Sequence, residues 1–226
     1  MLSAIAIVPS APVMVPELAG AAAAELVDLR DAVFSAAASL PLRWVAVGVG
    51  YADAVIGPDG AGTFAGYGVD LRVTLSPDRG SVSDLPLCAL IAGWIRGRAR
   101  PEARVEVRVY ADDHGPDAAL ARGRALRTEI DEAGDPVGVL VVADGAHTLT
   151  PSAPGGYDPA SIPVQQALDD ALARGDAAAL TRLPDGVVGR VAYQVLAGLT
   201  EPPRSAKELY RGAPYGVGYW AGVWTP

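Results

Sequence analysis

The chain contains only two imidazoles, and each stands just past an apolar run. His114 follows Val105–Tyr110, inside Ala111-Asp112-Asp113-His114-Gly115, and His147 follows Val139–Val142, inside Asp144-Gly145-Ala146-His147. An imidazole beside carboxylates suits proton transfer near neutral pH. Ser10, just past Ala4–Val8, adds a hydroxyl, so Asp144, His147 and Ser10 have the composition of a carboxylate–imidazole–hydroxyl relay. The same spacing also fits a plainer role, in which His114 and His147 are hydrogen-bonding partners of Asp113 and Asp144. The acidic pairs Asp112-Asp113 and Asp169-Asp170 are adjacent, and the second reads as a solvated helix face. There is no G-x-S-x-G elbow, P-loop or H-E-x-x-H motif. Gly48-x-Gly50 lacks the third glycine of a dinucleotide fingerprint, and Pro58-Asp59-Gly60 signals a turn where that fold needs a helix.

The elements that would position these groups are legible as alternating strands and helices. Ala4–Val8, Trp44–Val49, Val69–Leu75, Val105–Tyr110 and Val137–Val142 read as strands. Glu17–Leu40 reads as one amphipathic helix with Leu26, Leu29, Val33 and Ala37 on its buried face. Asp84–Arg98 reads as a helix with Asp84 as N-cap and Pro86 in its first turn. Further helices are expected at Asp117–Glu132, Val164–Arg174, Asp176–Leu183 and Val187–Leu199, before a Gly- and aromatic-rich tail at Tyr210–Trp224. This pattern predicts a single α/β domain over residues 1–226, with a mostly parallel central sheet and helices on both faces. If Val105–Tyr110 and Val137–Val142 are parallel neighbours joined by Asp117–Glu132, both histidines emerge at the carboxyl edge of the sheet. Ligands bind at that edge in open α/β sheets, and Ser10 would emerge there too.

Composition narrows the partners. A net charge of −8 leaves no basic footprint for nucleic acid. Arg96, Arg98 and Arg100 form a local patch that reads as a solvated helix end. The lone Cys88, in an apolar segment, fits a reducing cytoplasm and permits no intrachain disulfide or thiolate cluster. The N-terminal apolar run lacks a basic region, is interrupted by Pro9 and Pro12, and is too short to span a bilayer. These features predict a soluble cytoplasmic protein without a membrane or nucleic-acid partner. Assembly into a homo-oligomer is compatible with them.

A longer signal begins at Asp144. Asp144-Gly145-Ala146-His147-Thr148-Leu149-Thr150-Pro151-Ser152-Ala153-Pro154-Gly155-Gly156-Tyr157-Asp158 resembles G-D-L-S-H-R-L-T-P-x-A-P-x-G-Y-D of the class III extradiol ring-cleavage dioxygenases and their Memo-like relatives. Asp113-His114-Gly115 is similar to that family's D-H-G, and Pro214-Tyr215-Gly216-Val217-Gly218-Tyr219 to its P-F-G-V-G-Y. The resemblance implies the fold of the protocatechuate 4,5-dioxygenase catalytic subunit. It also implies a pocket with His147 as acid/base toward a catechol hydroxyl, lined by His114, with Asp144, Ser10, Asp113 and Tyr215 close by.

The ligand slots depart from the family. Its Fe(II) is held by two histidines and a carboxylate. Here the first slot reads Pro9-Ser10-Ala11-Pro12, the second falls at Gly50 or Tyr51, and the third at Arg211 or Gly212, with Glu208 the nearest acid. A hydroxyl, a glycine and a guanidinium do not replace that set. The expectation is a protein without a metal cofactor that binds a small molecule, of an aromatic kind, or a protein partner in the retained pocket. The alternative is a working ring-cleavage dioxygenase with Fe(II), or an acid/base enzyme using His147. A zinc site built from His114, His147 and an aspartate is the fallback for a metal.

Overall fold

The apolar runs pair into one central sheet. In the computed structural model, which describes residues 1–78 and 80–226, the strands are β1 (Leu2–Val8), β2 (Arg43–Gly50), β3 (Ala54–Ile56), β4 (Ala61–Thr63), β5 (Arg72–Thr74), β6 (Arg104–Ala111), β7 (Val137–Val142), β8 (Ser205–Gly212) and β9 (Tyr219–Thr225). Seven of them form a sheet in the order β3-β6-β2-β7-β1-β9-β8. β1, β2, β6 and β7 are mutually parallel, while β3 and β9 run against their neighbours. β4 and β5 make a separate two-stranded ribbon.

Side-chain alternation builds two cores. Ala6, Val8, Trp44, Ala46, Leu140 and Val142 point to one face, and Ile5, Ile7, Val45, Val47, Val139 and Val141 to the other. Both sets are buried, so these strands are apolar throughout rather than at every second residue. The first face is covered by α2 (Val27–Ala38) and α3 (Leu87–Ala99), with the short α1 (Pro16–Ala19) leading into them. The second is covered by α4 (Pro116–Glu132), α5 (Ser161–Arg174), α6 (Ala177–Leu180) and α7 (Arg190–Leu199). Each fully buried Val, Leu or Ile contributes roughly 1.5–3 kcal/mol of hydrophobic stabilisation. That packing anchors the four parallel strand ends from which the polar loops depart.

Several expectations are corrected. β6 and β7 are parallel but not adjacent, because β2 pairs with both: Trp44 sits opposite Val105 on one side and Gly138 on the other. The expected helix Glu17–Leu40 is broken into α1, a 3-10 stretch Gly20–Leu26 and α2, since Gly20 adopts φ +54°, outside helical geometry. Leu26, Leu29, Val33 and Ala37 are nonetheless all buried. α3 starts at Leu87 with Pro86 as its N-cap, so Asp84 caps nothing. Val69–Leu75 shortens to β5. Arg96 is buried rather than solvated; its guanidinium donates to the carbonyl oxygens of Thr74, Pro101 and Ala103 at the end of α3. The Gly- and aromatic-rich tail contains the β8–β9 hairpin, and β9 pairs antiparallel with β1, which makes the sheet mixed. No helix among the described residues is long and apolar enough to cross a membrane.

Candidate functional site

The carboxyl ends of β1, β2, β6 and β7 surround a cavity of about 690 Å³. Ser10 enters its wall after β1, Gly50 and Tyr51 from the end of β2, Asp112 after β6, and Asp144 after β7. The opposite wall comes from the β4–α3 region, with Tyr67, Asp84, Leu85, Leu87 and Leu90. The volume lies in the range of small-molecule sites, at the sheet edge where α/β proteins bind ligands.

Asp144 is the most perturbed group there. Its Oδ1 accepts the Ser10 N–H at 2.8 Å, across two strand ends 134 residues apart. Burial pushes its carboxyl up to about 7, against the opposing pull of that hydrogen bond. Its main chain is fixed from behind, because the N–H of Gly189, at the entry to α7, donates to Asp144 O at 2.8 Å. Below it the buried Tyr193 hydroxyl donates to Ala143 O at 3.0 Å.

The chain beyond Asp144 locks onto the C-terminal motif that shares its family resemblance. Gly145 N–H donates to Gly218 O at 2.8 Å, Gly218 N–H to Ala146 O at 2.8 Å, and Leu149 N–H to Gly216 O at 3.0 Å. Gln165 of α5 wedges between the two segments. Its Oε1 accepts the Ala146 N–H at 2.8 Å, and its Nε2 donates to Asp169 Oδ1 at 2.7 Å. A Cβ at Gly145 or Gly218 would overlap that carboxamide, so a side chain at either position would displace Gln165 from its hydrogen bonds. Burial raises Asp169 to about 6, opposed by the Gln165 hydrogen bond.

The histidines occupy different surroundings. His114 Nε2 lies 2.6 Å from Asp53 Oδ1, so its partner is Asp53 and not Asp113. Asp53 also accepts the Ala111 N–H at 2.9 Å and pairs with Arg122 at 2.8 Å. Although burial pushes the other way, these three partners hold the Asp53 carboxyl below its ordinary range. His147 packs within its own loop: its ring lies against Gly155, its carbonyl accepts the Gly155 N–H at 3.1 Å, and its buried Nδ1 has no partner among the described residues. No hydrogen bond joins His147 to Asp144 or Ser10 among the described residues, so the relay composition is not assembled as a relay. Of the expected site residues, Ser10 and Asp144 line the cavity, while His114, His147, Asp113 and Tyr215 are not among its lining residues. Tyr215 instead donates from its hydroxyl to Glu25 Oε2 at 3.0 Å.

No protein-family model matches the chain, and no curated protein does. Among solved structures it is similar to an uncharacterised protein from Escherichia coli K12, with a TM-score of 0.54 over 98% of this chain and 99% of that chain, at 9% identity. At that identity the similarity shows a shared fold.

The residues in the ligand slots do not fit an Fe(II) centre. Ser10, Gly50 and Tyr51 reach the cavity wall but bring a hydroxyl, no side chain and a phenol. Arg211 is on β8 in ion pairs with Glu208 at 2.6 Å and Asp170 at 3.1 Å, and Glu208 Oε2 also accepts the Trp220 Nε1–H at 2.9 Å. Among the described residues no three His, Cys, Asp or Glu side chains are grouped to hold a metal ion, and His114 is committed to Asp53.

Sequence reasoning missed Asp53, Gln165 and the cavity wall from Asp84 to Leu90. Asp53 carries no local signal, since it meets His114 across 61 residues. Gln165 reads as an ordinary helix position, and only its burial betrays it.

Proposed function

We propose that this protein is a relative of the class III extradiol dioxygenases that binds a small molecule in the carboxyl-edge cavity and does not work as an iron dioxygenase. The observation that supports this most is the make-up of the cavity wall. The positions where the resemblance expects iron-binding histidines, Ser10 and either Gly50 or Tyr51, do line the cavity, and neutral hydroxyls or a glycine are not strong donors for a divalent metal. The pocket is retained and the ligand set is replaced. Loading the purified protein anaerobically with Fe(II), admitting O2 and assaying a catechol panel tests this reading. The expected result is neither stoichiometric iron nor ring-cleaved product; product formed by the native chain and lost in His147→Ala would sink it.

A second reading, proton-transfer catalysis in the same cavity, is favoured by Asp144. A carboxyl raised to about 7 exchanges protons near neutral pH, and Asp144 faces the cavity while His147 is held by its loop. In this reading Asp144 carries the acid/base role that the resemblance would give to His147. An activity attributable to it would show an ionisation near pH 7, absent in Asp144→Asn and retained in His147→Ala. A pH profile unchanged by Asp144→Asn would rule it out.

A further inference from the structure

The charge lining the cavity is one-sided. Its 18 described lining residues include Asp84, Asp112 and Asp144 and no Arg, Lys or His. None of the three aspartates is in an ion pair with a described residue. Two cations near this edge are engaged elsewhere: Arg122 with Asp53, and Arg190 with Asp185 and the carbonyl oxygens of Asp112 and His114. An anionic ligand such as a carboxylate, a phosphate or a catecholate therefore meets no countercharge among the described lining residues.

Two further features favour a cation. Asp84 and Asp112 are exposed, but Asp144 is largely enclosed, and among the described residues its only hydrogen-bond donor is the Ser10 N–H on Oδ1. A half-buried carboxylate with one neutral donor is poorly compensated, and an ammonium at its other oxygen would compensate it. Independently of the acids, Tyr51 is fully exposed and Tyr67 is 45% exposed although both line the cavity. Exposed aromatic faces beside an acidic pocket are what a cation with an apolar body uses.

We propose that the cavity selects a small organic cation, a primary amine on an aromatic or aliphatic body, with its ammonium on Asp144 and its body against Tyr51, Tyr67 and Leu87. This rests on the reading of the cavity as a small-molecule site. Three probes of one shape and different charge separate the two statements: benzylamine, benzyl alcohol and benzoate, titrated by NMR or calorimetry at pH 8. Benzylamine is expected to bind at least about tenfold more tightly than the alcohol, and benzoate not at all. The preference for the amine should vanish in Asp144→Asn, which keeps an acceptor for the Ser10 N–H, and should weaken about tenfold at pH 5.5, where Asp144 is protonated. Tyr51→Ala, at a fully exposed side chain, should weaken benzylamine a few-fold without altering thermal unfolding. Benzyl alcohol or benzoate binding as tightly as the amine, and blocked by the cavity-filling Val188→Trp, would overturn the charge selection and leave the cavity reading standing. Binding of none of the three would overturn both.

Discussion

The loops after β6 and β7 leave the sheet at the same edge and carry one histidine each, yet the carboxylate that serves the first, Asp53 of the β2–β3 connection, and the carboxylate inside the second, Asp144, live in opposite conditions. After β6, Asp53 reaches His114, Arg122 and the Ala111 N–H, and every partner favours the ionised form. After β7, Asp144 has the Ser10 N–H, no cation and a pocket at its side, and burial favours the neutral form. The contrast separates a charge that holds a loop in place from a charge left for something else. A paired carboxylate at a strand end is satisfied by the fold, whereas a desolvated and unpaired one costs stability and persists where a ligand or proton uses it.

The largest effect is expected where the β7 loop is anchored. Gln165→Leu removes the acceptor of the Ala146 N–H and the donor to Asp169, both inside the protein, and should cost about 2–4 kcal/mol of unfolding free energy. Denaturant unfolding measures it; a loss below half a kcal/mol, by the same scale of buried hydrogen bonds, would mean the loop has another anchor.

Next in size, and of opposite sign, is Asp144→Asn. The folded carboxyl holds its proton to about pH 7 while the unfolded chain releases it near the ordinary value of 3.8. Between those values the unfolded state binds fewer protons, so stability falls as pH rises, and the penalty is complete above pH 7. The Asn variant escapes it and should exceed the native chain by on the order of 2 kcal/mol at pH 8, with little difference at pH 4. A variant less stable than native at pH 8 would erase the contrast between the two strand ends.

The smallest effect belongs to the β6 side. Asp53 is lowered in the folded state, so its contribution is present above the unfolded value and is lost as pH falls through the folded one. Its side chain is 36% exposed, and solvent screening limits the cost of Asp53→Asn to under about 1 kcal/mol at pH 7. The variant should leave benzylamine binding unchanged, because Asp53 does not line the cavity. A tenfold change in that affinity would tie the two loops together functionally.

Much of this molecule is written locally. The apolar runs from Ala4, Trp44, Val105 and Val137 become the four central parallel strands, and Cys88 is buried as its neighbours foretell. Strand–helix alternation predicts Ser10, His114, Asp144 and His147 at one edge if the strands are parallel, because parallel strands joined by crossovers share their carboxyl ends; of these, Ser10 and Asp144 line the cavity. The tail was legible as aromatic but not as strand: Tyr219–Thr225 extends only because β1 and β8 supply its hydrogen-bonding partners.

What the sequence could not decide is who meets whom. Periods of 2 and 3.6 report which face a residue takes along its own element, and say nothing about the order of elements across the sheet. That order places β2 between β6 and β7, brings Asp53 rather than Asp113 to His114, turns His147 into its own loop, and sets Asp144 on the N–H of Ser10. The residue types determine that a carboxylate stands after β7. Its raised proton affinity comes from tertiary burial without a countercharge, because desolvation depends on every element packed around a group and not on its neighbours in the chain.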